Sequence, residues 1–85
     1  MLFLIEQAHT PENCPYGRGG SQSLHDATVT EVTVKAMYGN FMKHVVYIIV
    51  EASDIDDINK FLLPGMKTCT TTITPVTDHS IPIPA

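Results

Sequence analysis

Two short runs of large apolar residues, LFLI at positions 2–5 and VVYIIV at 45–50, constrain this chain more than any other feature. Neither alternates with polar residues, so a strand built from either one needs burial on both faces. Neither approaches the ~20 residues that a membrane helix requires. With 85 residues the chain is one domain, and a domain of that size buries only roughly 60 to 65% of its unfolded surface. Two doubly apolar strands therefore belong at the centre of a sheet.

The remaining elements arrange themselves around these two. MLFLIEQAH at 1–9 predicts a first strand leading into Pro11; residues 10–20, with Pro11, Pro15, Gly17, Gly19 and Gly20, predict a loop. A short helix is expected from Ser21 to about Ala27. From Glu31 to Tyr38 the pattern alternates with period two, the mark of a half-buried strand, and Gly39-Asn40 is the expected turn into a third strand over 43–52. Ser53 and Asp56 resemble a capping box for a helix over 54–63, which carries Ile55, Ile58, Phe61 and Leu62 at helical spacing and ends at Pro64-Gly65. A fourth strand over 67–76 contains Pro75, which requires a sheet edge.

The order β-α-β-β-α-β is the split, ferredoxin-like arrangement, an α+β fold with a four-stranded antiparallel sheet and its first and third strands in the centre. Residues 1–78 form this single domain and 79–85 a proline-rich C-terminal tail. Right-handed crossovers put both helices on one face of such a sheet. The other face stays apolar and uncovered, and a second copy of the chain covers it most simply, by two-fold symmetry. The expectation is a homodimer, with higher assembly left open.

Composition excludes some partners. The five Lys and Arg residues are scattered singly in a chain of net charge −4, which leaves no basic stripe for nucleic acid. MLFLI stops at Glu6, too short for a signal-peptide core and with no basic stretch ahead of it. No membrane partner is expected, and the reading is a soluble, cytoplasmic protein. There the two cysteines serve as thiols or ligands rather than as a structural disulfide, although that pairing stays open.

The segment HTPENCP (9–15), together with VYIIVEASDIDDINKFLLPG and CTTTITPV (within 46–76), resembles the dimeric α/β-barrel superfamily of small ferredoxin-like proteins. It is most similar to a branch of short proteins that open with a strand and HTPENCP. Residues 16–30 depart from that pattern, carrying YGRGGSQSLHDATV where the family has a longer first helix. The superfamily includes cofactor-independent monooxygenases, isomerases and cyclases, haem-degrading proteins and metal-binding proteins. The resemblance therefore implies a fold more than an activity.

Strand order suggests a site. The first strand ends at His9 and its neighbour, the fourth, begins near Lys67, so Cys69 falls at the same end of the sheet as His9, with Cys14 on the loop above. One imidazole and two thiolates suit a transition metal, zinc, copper or nickel, with His9, Cys14 and Cys69 as ligands. Water, His25 or Glu51 is expected in a fourth position. With the third strand taken as parallel to the first, Glu51 falls at this end and His44 at the opposite one. Haem, through Cys14-Pro15, draws on fewer of these residues. In the plain structural alternative His9 ends a strand, Cys14 packs in a turn and Cys69 is a small buried hydrophobe.

A different function class is a cofactor-free enzyme, of the monooxygenase or isomerase type, acting in the cleft between two sheets. Its acid and base groups would come from Glu6, Gln7, Tyr38, His44, Tyr47 and Glu51. Other motifs fail on inspection. DIDDINKFLLPG at 54–65 has neither the glycine nor the final glutamate of a calcium loop, RGG occurs once, and His79 falls in the tail.

Overall fold

The computed structural model describes residues 1–84. Four strands, β1 (Leu2–His9), β2 (Thr33–Asn40), β3 (Val45–Glu51) and β4 (Cys69–Val76), form one antiparallel sheet in the order β2-β3-β1-β4. A single α-helix among the described residues, α1 (Ile55–Phe61), and 3₁₀ turns at Pro11–Asn13, Ser21–Leu24 and Leu63–Gly65 complete the α+β fold. The two apolar runs occupy the centre, as their lack of alternation requires. Pro75 sits on edge strand β4, opposite Phe3. No described helix is long and apolar enough to cross a membrane.

The sheet buries one face. Phe3, Ile5 and Gln7 of β1 and Val46, Ile48 and Val50 of β3 lie beneath Leu24, Ile58, Phe61 and Leu62. The alternate residues Leu4, Glu6, Ala8, Tyr47 and Ile49 form the other face and are only half-buried. Fully burying a residue such as Ile5, Ile48 or Ile58 contributes roughly 1.5–3 kcal/mol, so the covered side carries the stability of the fold.

Four local expectations are corrected. The first helix does not form: Ser21–Leu24 is one 3₁₀ turn, entered through Gly20 at φ 72° and left through His25 in an extended conformation. Buried Leu24 does the packing that the helix was expected to do. The cap of α1 is Asp54, whose carboxylate accepts the Asp56 amide at 2.9 Å, in place of Ser53. Asp sits one residue closer to the helix and offers a charged acceptor. Gly39 and Asn40 continue β2, and the turn falls at residues 41–44, where the Asn40 side chain accepts the Lys43 amide at 3.1 Å.

The fourth correction matters most for function. Strand β3 runs antiparallel to β1, pairing Leu2 with Glu51 and Ala8 with Val45. The crossover after β1 makes β2 parallel to it, and the β2–β3 hairpin then reverses the chain against both. Glu51 therefore lies at the far end from His9, within 2.6 Å of the Met1 amino group, and the β2–β3 turn comes to the His9 end.

Candidate metal centre

The backbone builds this end of the sheet in three steps. Strand β1 ends at His9, whose amide donates to the His44 carbonyl at 3.0 Å and so extends the central ladder by one bond. Next, Pro11 opens a 3₁₀ turn in which the Asn13 amide reaches Thr10 O at 3.0 Å and the Cys14 amide reaches Pro11 O at 3.3 Å. This folds the chain back and sets Cys14 over the strand end. Finally, Cys14 is extended at ψ 125°, as a residue before proline must be, and buried Pro15 pins the loop. Its carbonyl accepts from Arg18 at 2.7 Å and from Gly20 at 3.1 Å. The glycine-rich stretch supplies the positive φ of that reversal at Gly17, Gly19 and Gly20.

The third element is the β2–β3 turn. His44 has φ 55°, the one described non-glycine residue in the left-handed region. Such a conformation costs an L-residue about 1–2 kcal/mol, and an imidazole held in it at the end of two strands marks a place where the fold tolerates strain. The conformation brings the His44 ring to His9, centroid to centroid 5.4 Å, edge to face at 68°.

His9, Cys14 and His44 converge, with one ligand atom of each within 4.8 Å of the others. Donor atoms on a tetrahedral ion with bonds of about 2.1 Å stand about 3.4 Å apart. Both ring nitrogens of His9 and Nδ1 of His44 are buried and have no hydrogen-bond partner among the described residues. A buried polar group left without a partner costs roughly 1–3 kcal/mol. Burial lowers the proton affinity of His9 below the ordinary 6.5, and the neighbouring His44 lowers it further. Near neutral pH the ring is thus held in the form that coordinates metals.

Of the residues expected here, His9 and Cys14 meet. Cys69 faces His9 across the β1–β4 pair, as the strand order implied, but the converging group does not include it. It lines a separate hollow with Asn59, Leu62, Met66 and Ile73, and both cysteines are free thiols. His44 takes the third place. Sequence reasoning put it at the wrong end of the sheet, and the hairpin's reversal of direction was the signal that would have found it.

The expected fourth ligands are engaged elsewhere. His25 donates from Nε2 to Gln7 Oε1 at 2.7 Å and stacks on Phe61, ring centres 5.0 Å apart and 6° from parallel. Burial lowers its proton affinity too. Of the groups expected in a cleft, Gln7 is fully buried on the covered side. Glu6 and Tyr47 are partners across β1 and β3 on the open face, with Tyr38 opposite Tyr47 and exposed.

A hollow of about 280 Å³ opens beside the three converging side chains, walled by Pro15, Tyr16, Phe41, Val45 and Val46. Tyr16 and Phe41, both in its lining, meet edge to face with ring centres 6.2 Å apart. Comparison of the chain with protein-family models, with curated proteins and with solved structures finds no match.

Proposed function

We propose that this protein binds a transition metal ion through His9, Cys14 and His44. The observation that carries the reading is the convergence of a thiol and two imidazoles with three buried, unpartnered ring nitrogens. Zinc, copper and nickel all accept two imidazole nitrogens and a thiolate. The ion would take one ring nitrogen from each histidine, and so partner up to two of the three nitrogens that the fold otherwise leaves buried without hydrogen bonds. A thiol used in this way suits a reducing compartment such as the cytoplasm.

On the same reading the chain works as a homodimer of ferredoxin-like subunits, the assembly that the resemblance to dimeric α/β barrels implies. Support comes from the uncovered sheet face, where Leu4, Tyr47 and Ile49 stand with no layer of their own above them.

The test is metal analysis of untagged protein after incubation with equimolar zinc, copper or nickel and desalting. Near-stoichiometric metal is expected, lost in Cys14→Ser, His9→Ala and His44→Ala and retained in Cys69→Ser. Metal content unchanged by the first three substitutions would overturn the reading.

A further inference from the structure

Three protein donors leave a transition metal with an unfilled position. His25, Glu51 and Cys69, the nearest alternatives by sequence, lie respectively on Gln7, on the Met1 amino group and in another hollow. The three donors instead form one wall of the 280 Å³ hollow, whose other side groups are mostly apolar. An open coordination site facing a shaped cavity is the arrangement that distinguishes a metal that takes a ligand from one that is only structural.

The dimensions and charge of the hollow select the ligand. A cavity of about 150 Å³ accommodates benzene, so about 280 Å³ holds one ring and a short donor group, and little more. A divalent ion with one thiolate and two neutral imidazoles carries a net single positive charge. Among apolar walls an uncompensated charge is costly, and a monoanionic donor cancels it. Phe41 and Tyr16 are in its lining and meet each other edge to face, and aromatic side chains favour packing against a further ring. Asn40 and Ser21 also line the hollow, and their side-chain NH2 and hydroxyl are groups able to donate to a carboxylate oxygen.

We infer that the hollow beside His9, Cys14 and His44 is a binding site for a small monoanion with a single-ring apolar body, which completes the coordination of the bound metal. This inference rests on the metal-binding reading above. Acetate and benzoate test it, because they share a donor and differ only in the ring.

Cobalt(II) replaces the native ion as a visible reporter, and its bands respond to a change of fourth ligand. On the cobalt-loaded full chain, benzoate is expected to shift the bands and to bind at least tenfold more tightly than acetate. Phe41→Ala is expected to shrink that ratio toward one. Cobalt bands that neither carboxylate alters, or equal affinities for the two, would overturn the inference and leave the metal reading standing. A chain that takes up no cobalt would overturn both.

Discussion

The amide of His9 donates to the carbonyl of His44 at 3.0 Å, so one backbone bond at the end of the central ladder also sets the spacing of two imidazoles. His9 ends β1 and His44 is the last residue of the β2–β3 turn. Substitutions at the two rings can separate the chemistry of the site from the stability of the fold.

The left-handed backbone at His44 offers the cleanest separation. His44→Ala and His44→Gly both remove the ring and with it the metal, but only glycine adopts φ 55° without steric cost. The glycine variant should be the more stable of the two by about 1 kcal/mol in urea denaturation. Equal stabilities would mean that the turn relaxes once the ring is gone.

Acid should weaken the metal-free protein in a defined range. His9 and His25 both release their protons more readily than free histidine, whose reference value is 6.5. The unfolded chain therefore binds protons first as the pH falls through about 6.5, and unfolding becomes easier. Stability is full above that value, declines toward the lower folded values, and levels off beneath them. Urea midpoints between about pH 8 and pH 5 should show this slope, and His9→Asn should reduce it to the part due to His25. A pH-independent midpoint would contradict the burial of both rings.

Packing at Gly65 tests the covered side of the sheet alone. A Cβ there would lie 3.1 Å from Gln7 Nε2, 3.3 Å from Leu24 Cβ and 3.3 Å from the Leu24 carbonyl. Gly65→Ala should cost about 1–3 kcal/mol, the usual penalty for overpacking, while metal stoichiometry at saturation stays the same. A silent substitution would show that the layer over β1 is looser than these contacts imply.

The open face makes its own prediction. The chain should sediment as a dimer at low micromolar concentration, and Ile49→Glu should yield a monomer whose circular dichroism matches that of the parent. A parent chain that is monomeric and soluble under the same conditions would remove the face-to-face assembly.

The centre of the sheet was legible in the sequence because residues 2–5 and 45–50 are apolar at every position, the mark of central strands, although the structure buries only their covered face and leaves the other half-buried. Pro75 reported its edge through the amide it lacks. Helix α1 announced itself through Ile58 and Phe61, although its cap went to the nearer acid, Asp54. The region from Ser21 to Ala27 misled because capping serine and a few helical spacings do not outweigh the glycines before it and the extended His25 after it. In the site, His9 and Cys14 were visible as neighbours along the chain. His44 was not, since its place depends on strand direction, and one wrong sense sends a residue to the opposite end of the sheet. Cys69 shows the limit of register reasoning: facing His9 across two strands does not bring its sulfur into the same void.

The interruption in the β2–β3 ladder between Val34 and Ala36 acquires meaning beside Pro75. Each outer strand carries a device that spoils the template for an incoming backbone: a bulge next to Lys35 on one margin, a missing donor on the other. Both devices disfavour the pairing of an incoming strand at the margins, which guards a chain this rich in β-forming residues against edge-to-edge aggregation.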